Sequence, residues 1–172
     1  MKKSVLVLAA ILPFCSVAFS SEAKTLKGVT AIEVVTEDPG RDAFGLTKER
    51  LKTDVEMRLK TAGISVGREL LPAAHPGEDW PKGWMNTSAM LSVRVSVKKT
   101  GELKLFVLDI QVFQPVKLLR DTNVLAGSAP TYSASTWQTG MYGFTASERS
   151  LSDTVADQID EFIHDYLSVN PK

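Results

Sequence analysis

Two runs of strict alternation, separated by a glycine turn, constrain this chain more than any other feature. Leu91, Val93, Val95 and Val97 alternate with Ser92, Arg94, Ser96 and Lys98. That period of two belongs to a strand with one face in a core and the other in water. After Thr100-Gly101, Phe106, Leu108, Ile110 and Val112 share one side of the segment Leu103 to Phe113, while Asp109 and Gln111 point the other way. Two such runs joined by a short turn predict an antiparallel hairpin, and therefore a sheet that must bury one face. Pro115 withdraws a ladder donor, so Val116 to Leu119 reads either as an edge continuation or as a resumption after a bulge.

Around the hairpin the period changes. Val29 to Val35 is a β-branched run that suits a buried strand, ended by the turn residues Glu37-Asp38-Pro39-Gly40. From Thr47 to Ala62, Leu51, Val55, Leu59 and Ala62 fall on one helical face. Thr47 is placed to cap this helix, and Gly63 to end it in the left-handed conformation with Ile64 folding back. Ile64 to Val66 suits a brief strand. Residues 68–88 lose all periodicity and collect Pro72, Pro76, Pro81, Gly77 and Gly83, which predicts a long loop. Asp121 to Ser128 reads as a turn and Thr131 to Gln138 as a strand with a polar exposed face, after which Gly140 and Gly143 loosen the chain. A second helix is expected from about Ser150, with Leu151, Val155, Ile159, Phe162, Ile163, Tyr166 and Leu167 as its apolar stripe and Asn170-Pro171 as its end. Both helices are apolar on one face only. The expected fold is an α+β two-layer sandwich, an antiparallel sheet of about four to five strands with both helices on one side, in the order β-α-β-β-β-β-α.

The N-terminus has the three-part layout of a secretory signal: Lys2 and Lys3, an apolar run from Val5 through Phe14, then the small residues Ala18 and Ser20. The run is too short for a membrane span, and no later segment predicts one. The expected cut follows Ser20, with Ser21 and Ala23 as a second site. Residues 1–20 are thus read as a cleaved signal peptide and 21–172 as a single domain. Cys15 is preceded by the bulky Phe14, which argues against a lipid-modified cysteine. It is the sole cysteine and departs with the signal, so disulfide and thiol chemistry are not expected of the mature chain. Losing Lys2 and Lys3 leaves 18 basic residues against 20 acidic ones, a net charge of −2. The basic residues are dispersed among acidic ones, which excludes a nucleic-acid platform.

The element order resembles the small α+β domains that recur in bacterial envelope assembly proteins, such as the N-terminal domain of the Tol translocation protein and the lipopolysaccharide-assembly lipoprotein of the outer membrane. That resemblance implies an interaction role in the cell envelope and carries over no residue and no activity.

Candidate sites are few. Asp160 and His164 stand four apart on the second helix, beside Glu161 and Asp165. A single histidine on the face opposite the apolar stripe reads as a solvated helix surface, so no metal and no cofactor are expected. His75 and Asp79 share the long loop and would need Ser88 or Ser92 as nucleophile, with no G-x-S-x-G elbow in support. The aromatic residues are the better clue: Trp80 and Trp84 in the loop, and Trp137, Tyr142 and Phe144 near the last strand, supply flat apolar area with polar handles. A tryptophan in a proline-rich loop equally serves as a packed lid. The expected binding residues are Trp80, Trp84, His75, Trp137 and Tyr142. The expected role is a non-enzymatic, periplasmic or secreted envelope protein that contacts a protein partner. The alternatives are a carrier of a small apolar or glycan ligand under the 68–88 loop, and a hydrolase using His75.

Overall fold

In a computed structural model, which describes residues 23–67, 88–101, 103–116, 132–145 and 147–171, local sequence signals set where each element starts and stops. Helix α1, Lys48–Thr61, opens at Thr47, whose hydroxyl accepts from the Arg50 amide at 3.2 Å. It closes with Gly63 at φ 76°, where the Gly63 amide donates to the Lys60 carbonyl and the Ile64 amide to the Leu59 carbonyl, both at 2.9 Å. These are the paired bonds of a left-handed C-terminal cap, and the buried Ile64 is the apolar residue that folds back. Helix α2, Glu148–Val169, starts from Ser147, whose hydroxyl accepts from the Ser150 amide, and stops at Asn170. No helix among the described residues is long and apolar enough to cross a membrane.

Four strands, β1 (Ala31–Thr36), β2 (Ser88–Thr100), β3 (Leu103–Val116) and β4 (Tyr132–Thr145), form one sheet in chain order. The β2–β3 hairpin turns at Gly101, and its alternation holds: Leu91, Val93, Val95, Phe106, Leu108, Ile110 and Val112 are all buried. Three expectations are corrected. β1 pairs with β2 in parallel, so the sheet is mixed, because α1 carries the chain back and lets β2 start beside the beginning of β1. The expected strand over Ile64 to Val66 reduces to an isolated bridge, Ile32 to Val66, which removes one strand from the order. β4 also runs unbroken through Gly140 and Gly143, where loosening was expected. A Cβ on Gly140 would stand 2.7 Å from the Leu108 carbonyl oxygen, so this glycine lets β3 approach. Pro115 lies beyond Met90–Phe113, the last β2–β3 pair, and just after a register shift at Val112/Phe113. Its missing donor is therefore not needed on the β2 side.

Both helices lie against one face of the sheet, α1 on β1 and α2 on β4, and they touch each other. Trp137 and Phe162 meet at 5.1 Å in an edge-on pair within this layer, with Tyr166 tilted beside Phe162. A 3-10 turn at Ala23–Leu26 closes the layer under α2. Three bonds tie the two ends of the described chain together. The Tyr166 hydroxyl donates to the Val29 carbonyl at 2.6 Å, and the Asn170 side chain donates to Leu26 and accepts from Gly28.

Burial raises the pKa of Tyr166, since the phenolate would lose water in this position. Its stabilising share is complete below about pH 10, where an unfolded tyrosine stays protonated, and is lost as the pH rises through the folded value. The Tyr166→Phe variant is expected to lose about 1 kcal/mol at neutral pH, from the Val29 bond. It should also lose less stability than the parent above about pH 10. Urea midpoints across that range check both.

Candidate functional site

The sheet has a second face, and no helix among the described residues packs on it. Register places its side chains in rows across the strands: Lys98, Leu105 and Phe144; Ser96, Val107 and Tyr142; Arg94, Asp109 and Gly140; Ser92, Gln111 and Gln138. The rows divide it chemically. Toward the hairpin end, Phe144 is 56% exposed, Tyr142 59%, Val107 47% and Leu103 46%, with Leu105 half-buried between them. Five apolar or aromatic side chains thus sit side by side in water on two neighbouring strands. A contiguous apolar patch with a polar rim marks a contact surface more often than a solvated one.

The polar half is organised around Arg94. Its guanidinium bonds Glu37 at 2.7 Å and lies 3.7 Å from Asp109, which accepts from Gln111 at 3.2 Å. The Arg94 hydrogen bond and charge pull the Glu37 carboxyl below the ordinary range. These groups satisfy one another, so the charges are committed within the face.

The loop between β1 and α1 buttresses the hairpin end. The Lys104 ammonium stands 3.6 Å above the Phe44 ring and bonds the Asp42 carbonyl, while the Asp42 carboxylate accepts from the Lys99 amide at 3.1 Å. Phe44 holds a left-handed backbone, φ 57°, to present its ring there. That contact anchors the hairpin on which Leu103 is exposed and Leu105 half-buried.

The expected site residues separate. Tyr142 is on the exposed patch, beside Phe144. Trp137 is 2% exposed, donates from its indole nitrogen to Asp165 at 2.9 Å and packs on Phe162, so it offers no surface to a partner. His75, Trp80 and Trp84 lie outside the described residues, as does Asp79, the remainder of the 68–88 loop before Ser88, and the signal segment. Of the serines weighed as nucleophiles, Ser88 is buried at the start of β2 and Ser92 sits half-buried on the open face. Asp160 is committed to Arg58 at 3.0 Å, and His164 is mostly exposed, 3.7 Å from Asp165. Among the described residues no three His, Cys, Asp or Glu side chains converge as metal ligands. Reading for buried strands overlooked Leu105 and Val107. Their signal was present: they are apolar at positions where the alternation of β3 calls for polar residues.

A shallow groove of about 230 Å³ runs between α1 and α2, bounded by Leu51, Val55, Met57, Arg58, Val155 and Ile159. It gathers no convergent set of polar groups, only Asp54, Arg58, Ser152 and Asp153 at its rim.

Among the described residues the fold is α+β in two layers, with one sheet face that neither helix covers. Compared with known proteins, the chain matches no protein-family model and no curated protein.

Glu37 has a depressed pKa in the folded state, so its pair with Arg94 contributes above the ordinary carboxylate range and is lost as the pH falls through the folded value. The Glu37→Gln variant is expected to melt slightly below the parent at neutral pH. The difference should vanish under acid conditions, where both side chains are neutral, and melting temperatures against pH check this.

Proposed function

We propose that this chain is a non-enzymatic interaction domain of an exported envelope protein, and that the open face of its sheet meets another protein. The observation that carries this reading is the apolar cluster of exposed Leu103, Val107, Tyr142 and Phe144, with half-buried Leu105 between them, on the face that neither helix covers. Burying apolar area is the dominant favourable term in most associations, at roughly 25 cal/mol per Å². Aromatic residues are enriched in the centres of interfaces. The neighbouring Glu37–Arg94–Asp109 group suits the polar border of such a contact. Export is supported by the layout of Lys2, Lys3, the apolar run and Ala18-Phe19-Ser20.

Replacing both Tyr142 and Phe144 by Ala leaves the helix-side core untouched and removes the centre of the patch. Cross-linked capture from the envelope fraction of the host is expected to recover a partner with the parent and to lose it with the double variant. Met57→Ala, an exposed apolar change on α1, is the control and should capture normally. Circular dichroism should show all three proteins folded. Equal capture by parent and double variant would remove the open face from the interaction.

A further inference from the structure

The outer edge of β4 continues the surface just described. β3 pairs with its inner edge, and no strand among the described residues pairs with its outer one. Near Thr136 the 3-10 turn reaches that edge, where the Thr25 hydroxyl donates to the Thr136 carbonyl at 2.7 Å. From Gln138 to Thr145, among the described residues, the edge carries no charge, proline or bulge to protect it. The whole strand, YSASTWQTGMYGFT, contains no charged residue and no proline, and the register shift at Val112/Phe113 falls before this stretch. Natural proteins normally blunt an open edge with such features, because its free amides and carbonyls recruit another strand.

A row of carboxylates runs above the same edge. On α2, Glu148 pairs with Arg50, Asp160 with Arg58 and Asp153 with Arg149. Asp157, Glu161 and Asp165 are spaced four apart, so they line one side of the helix. Glu161 and Asp165 reach β4, Glu161 lying 3.4 Å from the Thr139 hydroxyl and Asp165 accepting from Trp137, and Asp157 stands exposed one turn earlier. No Lys or Arg pairs with these three carboxylates among the described residues, and the nearest cationic candidate is the exposed His164. A second copy fits poorly here, since pairing β4 with β4 would bring one acidic row toward the other.

We propose that an extended, lysine- or arginine-bearing segment of a partner protein adds to β4 as a fifth strand over Gln138 to Thr145. Successive side chains of an added strand point to opposite faces. One set meets Asp157, Glu161 and Asp165 on the helix side. The other packs beside Tyr142 and Phe144 on the open side. The partner segment therefore alternates basic and apolar residues. This proposal rests on the interaction reading above and specifies the chemistry of the partner.

The test uses the mature protein and a short fluorescent peptide alternating lysine and valine, followed by fluorescence anisotropy. Binding is expected, weaker at raised salt, and absent for a glutamate–valine peptide and for a lysine–valine peptide methylated on the backbone nitrogens that face β4. Asp157→Asn with Glu161→Gln should weaken it roughly fivefold, as two exposed ion pairs are removed. Hydrogen exchange should slow at β4 amides from Gln138 to Thr145. Equal binding of the glutamate peptide or of the methylated peptide overturns the proposal, as does failure of the lysine peptide to bind. Sedimentation as a dimer with those β4 amides protected would also overturn it, by placing a second copy on the edge. If the peptide fails while the Tyr142 and Phe144 changes still abolish capture, the edge assignment falls and the open-face reading stands.

Discussion

Trp137 and Phe162 meet edge to face in the layer between sheet and helices, and the rest of the molecule is arranged around that contact. The indole occupies the inner side of β4 and the phenyl ring the inner side of α2, so the pair sets where the second helix lies on the sheet. Asp165 receives the indole N–H, which fixes the rotation of α2 as well as its position. Tyr166 and Asn170, further along α2, then reach the backbone of residues 26–29. Once α2 is seated, α1 has the remaining width of the same face, over β1. Arg50 and Arg58 on α1 meet Glu148 and Asp160 on α2 across the seam.

Placing both helices on one side leaves the other side of the sheet uncovered by either of them, and the strands are patterned for it unevenly. The rows around Arg94, Asp109 and Gln111 carry side chains that satisfy one another in water. The rows toward the hairpin carry Leu105, Val107, Tyr142 and Phe144, which do not. The ion pairs of the polar half are exposed, and exposed pairs contribute little to stability. Their consequence is for shape and charge: they separate the apolar area beside the edge of β4 from the half-buried Met90 and Phe113 at the other end of the face. Gly140 serves that arrangement by letting β3 come close behind the strand.

Much of this was legible from residue pattern. The hairpin, both helical stripes, the Thr47 cap and the Gly63 stop each depend on neighbours within a few positions, and all are present. The parallel pairing of β1 with β2 was not legible, since a short apolar run such as Ala31–Thr36 carries no mark of direction. The strand expected at Ile64 to Val66 has the right residues but only one partner, the bridge to Ile32. Trp137 and Tyr142 looked alike as aromatic residues on a polar strand. Five positions apart, they lie on opposite sides of the sheet, and only the partner on each side distinguishes a core residue from a surface one.

Sequence alone determined the periods, the caps and the division of each strand into two sides, because these follow from backbone geometry and nearest neighbours. Tertiary structure decided which side each helix would cover, and so which apolar residues are core and which remain in water. It also decided that Glu161 and Asp165 reach Thr139 and Trp137 of the uncharged strand β4. The physical reason is that burial depends on the whole arrangement: two amphipathic helices can be buried on either face of a sheet, and the rings of Trp137 and Phe162, distant in sequence, select one.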